Sequence, residues 1–232
     1  MISRDGPEAL VRFAAQPAVV TIDVHRGHLD PAVATLPLAE APSAALVGRL
    51  VPMLAAFREH AVPVIHVVTA YRDADEILSN PYWRLQAGRA GSARSRIAEH
   101  NLEGLLGLEL MPGIQVDGDR VVRTKKRYDC FLGTDLEFLL RAGGHDSVFL
   151  VGVNTNSCVL ATALAASVRD FAVFVLDDGV DTMVGRDLHE AAEALIDASF
   201  GWVVSSTDAL ERLGSGESAG RDNRPGRAGR LR

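Results

Sequence analysis

Cysteine is nearly missing from this chain: Cys130 and Cys158 are the only two among 232 residues. Two cysteines cannot staple a secreted disulfide scaffold, so a reducing cytoplasm is the expected compartment. Long apolar runs are missing as well. No stretch reaches the roughly 20 residues of a membrane span, and the opening Met1-Ile-Ser-Arg-Asp-Gly-Pro lacks the pattern of a secretory leader. Positive charge is in deficit, with a net charge of −6, which argues against a nucleic-acid binder. The one basic concentration, Arg221, Arg224, Arg227, Arg230 and Arg232, is interspersed with small and polar residues too poor in apolar surface to pack. No internal repeat and no second core pattern interrupt the chain. Residues 1–212 are therefore expected to form one domain and residues 213–232 a basic, disordered tail with no assigned partner.

Apolar residues make up 47% of the chain, enough for one sizeable core. Runs at residues 18–23, 62–69, 120–124, 148–152, 171–177 and 202–206 read as strands. Helical spacing fills most of the gaps between them, over residues 7–15, 43–60, 136–141, from Cys158 onward, and 189–199. Strands alternating with helices at this spacing predict an α/β fold: a doubly wound, mainly parallel, Rossmann-like sheet with helices on both faces. Between residues 70 and 113 the pattern weakens. A loop that long in a compact domain is expected to be a lid or binding segment.

Three strand ends carry chemistry: Asp23 after the first strand, Lys125 after the third and Cys158 after the fourth. In a parallel sheet the carboxyl ends share one edge, so residues distant in sequence can converge there. A thiol at the start of a helix is expected to have its thiolate form favoured by the helix dipole. A nearby carboxylate can take the thiol proton and an ammonium can hold developing charge. Taken singly, each residue has a plainer reading: a small buried hydrophobe for Cys158, a turn residue for Asp23, a solvated charge for Lys125.

The segments Val-Val-Thr-Ile-Asp23-Val, Lys125-Lys-Arg-Tyr-Asp-Cys-Phe131 and Gly152-Val-Asn-Thr-Asn-Ser-Cys158-Val occur in the order and approximate spacing of a known family. In these the sequence resembles the isochorismatase-like cysteine hydrolases, which include nicotinamidases, N-carbamoylsarcosine amidase, biuret hydrolase and ureidoacrylate hydrolases. The resemblance spans most of residues 17–207. It implies an Asp23–Lys125–Cys158 triad, with Lys125 rather than Lys126 because the family lysine stands six residues before the position of Phe131. It also implies a cis peptide between Val153 and Asn154, and an oxyanion hole formed by the N–H groups of Asn154 and Cys158. Dimers or tetramers are common in the family, so a homo-oligomer is expected by resemblance. Cys130 matches no catalytic position and is read as packing.

The implied activity is cysteine-dependent hydrolysis of a C–N bond in a small amide or ureido compound, through a thioester. Two alternatives stand beside it: a non-catalytic binding or assembly member of the same fold, and a metal-assisted enzyme of the nicotinamidase type. Where many relatives carry a Gln-Asn-Asp-Phe-like run, this chain has His25-Arg26-Gly27-His28. The metal of nicotinamidases is held by an Asp-x-His pair and a further histidine downstream of the first strand; the corresponding Thr69-Ala-Tyr-Arg-Asp-Ala-Asp-Glu holds no histidine. No metal and no cofactor are therefore expected, and His25 and His28 are read as substrate-orienting or structural. The expected substrate wall is His25, Arg26, Trp83 and Tyr128, with Tyr71, Arg72, Arg84 and Asn154 as further candidates.

Overall fold

The computed structural model describes residues 2–215. The basic tail expected at residues 213–232 therefore lies almost wholly outside the described residues. Six parallel strands form one sheet: β1 (Pro17–Ile22), β2 (Val64–Thr69), β3 (Arg120–Lys125), β4 (Ser147–Val153), β5 (Ala172–Asp181) and β6 (Trp202–Val204). Their order is β3-β2-β1-β4-β5-β6. The order reverses between β1 and β4, and ligands of such sheets sit in the crevice beyond that switch point. Asp23 follows β1 and Cys158 follows β4, so the topology alone brings the acid and the thiol to one crevice.

Each of β1, β2 and β4 is buried along its whole length, which is why they read as unbroken apolar runs rather than alternating ones. One face packs against α6 (Leu136–Ala142), α7 (Leu160–Ser167) and α8 (Arg186–Ser199), with Val20, Ile22, Leu150, Leu140, Ala163 and Ile196 in a shared core. The other packs against α1 (Gly6–Phe13), α3 (Glu40–Glu59) and α9 (Ser206–Gly214), through residues such as Leu10, Leu46, Leu54, Phe149 and Ala209. The sequence-based spans fall within a few residues of these elements. The doubly wound fold expected from the alternation of strands and helices is the one observed.

The stretch at residues 70–113 is more ordered than its sequence pattern suggests. It folds into α4 (Ala74–Leu78), α5 (Pro81–Gln86) and two single 3-10 turns, Ile97–Glu99 and Leu106–Leu108. Asp73 and Asn80 cap α4 and α5 by accepting backbone N–H bonds. Their helices are too short to show a 3.6-residue apolar period, which hides them from sequence reading. Tyr71, Ile77, Trp83 and Ile97 bury a small third core beneath this layer. Isolated bridges Tyr71–Leu102 and His25–Leu110 fasten the layer to the ends of β2 and β1.

Candidate active site

Asp23 leaves β1 in the left-handed region, at φ 53°. Aspartate tolerates that region better than most residues because its short side chain bonds locally. The turn is held by the Asp23 N–H donating to the Val67 carbonyl at 2.9 Å. It directs the carboxylate inward, where Oδ1 accepts the Thr69 N–H at 2.8 Å and Oδ2 accepts the Lys125 ammonium at 2.5 Å. Lys125 ends β3 opposite Thr69, after a register shift in the β2–β3 pairing. Its Nζ also donates to Thr69 Oγ1 at 2.5 Å and lies 3.4 Å from Cys158 Sγ. All three ammonium protons thus have acceptors. Lys126 goes elsewhere, to the Ala70 carbonyl and the Glu76 carboxylate.

Cys158 is carried by one turn of π-helix, Thr155–Val159, that joins β4 to α7. Gly152 makes this approach possible. It sits at φ 116°, and a Cβ there would stand 2.1 Å from the Ile22 carbonyl oxygen, so β1 and β4 could not stay paired with any larger residue. The peptide bond from Val153 to Asn154 is cis. The Asn154 side chain is fixed by accepting the Met183 N–H at 2.8 Å, and the Asn154 backbone carbonyl accepts the N–H groups of Ser157 and Val159.

Charge and burial together set the resting protonation. Burial works to raise the Asp23 pKa, but the Lys125 ammonium and the neighbouring His25 hold it well below the usual carboxylate range. Burial likewise works against the Lys125 charge, yet Asp23 and Cys158 hold its pKa well above that of a free lysine. Burial pushes the Cys158 thiol up to about 11, helped by the Asp23 charge and opposed by Lys125. The resting site is thus carboxylate, ammonium and thiol. The sequence reading expected the helix dipole to favour the thiolate. Desolvation outweighs it, because Cys158 is only 5% exposed. Alkylation of Cys158 by iodoacetamide should accordingly rise about tenfold per pH unit from pH 7 to 9.5 with no plateau, since the thiolate fraction does so below the thiol pKa. A plateau near pH 7 would mean a thiolate at rest.

The three groups border a cleft roofed by the residue 70–113 layer. Trp83 and Tyr128 line it, with Trp83 Nε1 donating to the Tyr128 hydroxyl at 2.9 Å. Tyr71 and Asn154 line it as well. His25 is fully buried behind Asp23, with Nε2 3.5 Å from Oδ1, and supports the carboxylate from outside the cleft. Arg26 is not part of the wall: its guanidinium pairs with Asp30 and Glu109, each at 2.8 Å, on the outer side of the short helix α2 (Arg26–Leu29). Arg72 turns outward to Glu76 in the same way, and Arg84 is not among the lining residues.

Several lining residues escaped the sequence reading. Thr69 could have been found as the end of the second strand. Arg94, His100 and Met183 carried no signal, since each sits alone in a stretch without periodicity. His28 does reach the cleft, and His100 joins it from the 3-10 turn region, with ring centroids 4.6 Å apart. Burial, with the neighbouring His25, pushes the His28 pKa down to about 3. It holds His100 well below the ordinary histidine value too. Cys130 is buried in the core beneath the site.

An isochorismatase domain family model matches residues 17–208. The chain is 27% identical over 203 residues to a maleamate amidohydrolase of Pseudomonas putida, covering 88% of this chain and 89% of that protein. It is 26% identical over 205 residues to a ureidoacrylate amidohydrolase RutB of Methylobacterium radiotolerans, covering 85% and 79%. Among solved structures, a cysteine hydrolase from Pseudomonas syringae shares the fold with a TM-score of 0.74 at 22% identity, over 93% of this chain and 98% of that one. An N-carbamoylsarcosine amidase from Thermoplasma acidophilum aligns with a TM-score of 0.64 at 27% identity, over 82% and 96%.

Proposed function

Because the chain belongs to the isochorismatase domain family, we propose that it is a cysteine-dependent amidohydrolase cleaving a C–N bond of a small amide or ureido compound. The observation that carries this reading is the single buried contact set in which Lys125 Nζ touches both Asp23 Oδ2 and Cys158 Sγ. A scaffold protein gains nothing from burying a carboxylate, an ammonium and a thiol together, because each ion costs several kcal/mol to desolvate.

In the proposed reaction the substrate carbonyl enters beside Cys158 and the thiol proton passes to Asp23 as sulfur attacks. Coupling the two events removes any need for a free thiolate. The oxyanion is received by the N–H groups of Asn154 and Cys158, and one such donor is typically worth about 100- to 1000-fold in rate. Asp23 then returns the proton to the departing nitrogen, so ammonia or an amine leaves and a thioester remains. Water attacks the thioester with Asp23 as base and restores the thiol. Lys125 holds the Asp23 carboxylate in place and favours negative charge on sulfur.

Trp83, Tyr71 and Tyr128 give the cleft an apolar, aromatic ceiling, which limits the substrate to a compact molecule and excludes bulk water. The relatives' names, maleamate and ureidoacrylate amidohydrolase, point the search toward short carboxamides and ureido acids. Ammonia release should be measured over a panel of such compounds. Turnover of at least one member, lost in a Cys158→Ala protein, supports the reading; ammonia release that survives that substitution overturns it. Among the described residues no helix is long and apolar enough to cross a membrane. We place the protein in the cytoplasm as a homo-oligomer, on its free cysteines and its family respectively.

A further inference from the structure

We propose that His28, His100 and His25 form a binding site for one transition-metal ion of the zinc class beside the Asp23–Lys125–Cys158 group, with His28 and His100 on the cleft wall and His25 behind Asp23. A nitrogen from each of the three rings lies within 4.8 Å of the other two, and all three residues are buried. The rings arrive from separate stretches, two from the turn after β1 and one from the far end of the residue 70–113 layer, with centroids 4.6 to 5.8 Å apart; His25 and His28 stack and His100 is tilted against both.

The outer hydrogen bonds are those a metal-bound imidazole requires. His28 Nδ1 lies 2.7 Å from the Leu36 carbonyl oxygen. A carbonyl only accepts, so Nδ1 carries the proton and the Nε2 lone pair is turned the other way. His100 Nδ1 lies 2.8 Å from Thr35 Oγ1, a hydroxyl able to accept the Nδ1 proton when Nε2 binds an ion. Among the described residues no hydrogen bond reaches Nε2 of His28 or of His100, and both residues line the cleft. His25 is the third ligand. Its Nε2 now receives the Asn101 amide at 2.8 Å, and Asn101 also donates to the Thr69 carbonyl. Asn101 therefore keeps a partner when His25 turns to an ion.

Three neutral imidazoles suit zinc or a neighbouring divalent ion, bound at about 2.0–2.1 Å, with a further coordination position open toward the cleft. An oxygen or nitrogen donor of a molecule in the cleft would take that position. Asp23 Oδ1 lies 3.5 Å from His25 Nε2, but its charge already balances Lys125, so an anionic donor in the open position would offset the charge of the ion. These ligands are not the Asp-x-His pair of nicotinamidases, since Ala70 and Arg72 follow β2 here and carry no ligand atom of that kind. The site also stands apart from the hydrolase reading, because it needs none of Asp23, Lys125 or Cys158 as a ligand.

The test uses the full chain, stripped with a chelator and titrated with Co²⁺ while visible absorption is followed, with Zn²⁺ titrated by calorimetry in parallel. The expected result is one ion per chain with nitrogen-type ligand-field bands. Affinity should fall at least tenfold in His28→Gln, whose amide can still donate to Leu36, and in His100→Ala, and should be unchanged in Cys158→Ala. No saturable binding by the unaltered chain overturns the proposal. So does binding that both histidine variants retain in full, or sulfur-to-cobalt bands that vanish with Cys158. Because the readout is bound metal, a chain that binds the ion but hydrolyses no amide separates this inference from the proposed activity.

Discussion

Replacing Cys158 with alanine should lower kcat/KM on any amide substrate by at least about 10⁴-fold, the scale on which losing a nucleophile falls, while the fold survives. Under the proposed mechanism the thiol is the group that forms the acyl intermediate. Lys125 is a buried, fully bonded ammonium and Asp23 a carboxylate occupied by two donors. The structural cost is small by comparison. Cys158 loses one sulfur from a core otherwise made of Val159, Ala163, Ile22 and their neighbours, about 1 kcal/mol for a removal of that size. Steady-state kinetics together with near-ultraviolet circular dichroism separate the two effects. A Cys158→Ser protein should be nearly as inactive, since a hydroxyl is far harder to deprotonate than the thiol it replaces. Activity retained in either variant would remove Cys158 from the reaction.

The second large effect belongs to the buried ion pair. Asp23→Asn should destabilise the protein by about 3–5 kcal/mol, because it strands the Lys125 ammonium in the interior without its counter-charge. For a chain of this length that corresponds to a drop in thermal midpoint on the order of 10 °C. Asparagine is the informative replacement: it keeps the acceptor for the Thr69 N–H and tolerates the left-handed backbone at this position. The loss therefore reports the charge and its hydrogen bond to Lys125, with the backbone turn left in place. Activity should vanish with it, since an amide cannot take the thiol proton. Adding Lys125→Met removes the stranded ammonium, so the double variant should recover much of the stability and none of the activity.

The comparison belongs near pH 7.5. Asp23 has a folded pKa below its unfolded value, so its contribution is present above about pH 3.9 and is lost as pH falls through the folded value. Lys125 has a folded pKa above its unfolded one, so its contribution is present below about pH 10.4 and is lost as pH rises through the folded value. Between these limits both groups are charged in both states and the pair contributes in full. Equal stability of the single and double variants across that window would show that the ammonium is not stranded.

The strands were legible because β1, β2 and β4 are buried on both faces, and burial on both faces leaves an unbroken apolar run in the sequence. Asp23, Lys125 and Cys158 were legible because each stands at or just beyond the end of a strand, and because three segments in order match a family. The roof was not legible. Its helices are too short to show a period, and their caps, Asp73 and Asn80, look like any other turn residues. His100 was invisible for a related reason: its meaning lies in His28, 72 residues earlier in the chain, and no local pattern connects them. Arg26 showed the converse. As a basic residue three positions after Asp23 it suited a substrate wall, but Asp30 and Glu109 draw it to the outer side.

By itself, then, the sequence determined the parallel sheet, the edge on which the reactive groups gather and their chemical types, since all of these follow from periodicity and position along the chain. Tertiary structure decided the rest: which way each arginine turns, that the thiol rests protonated, and that three histidines lie together. These are outcomes of desolvation and of contacts between distant segments. Both depend on what surrounds a group in space, a quantity that no local stretch of residues encodes.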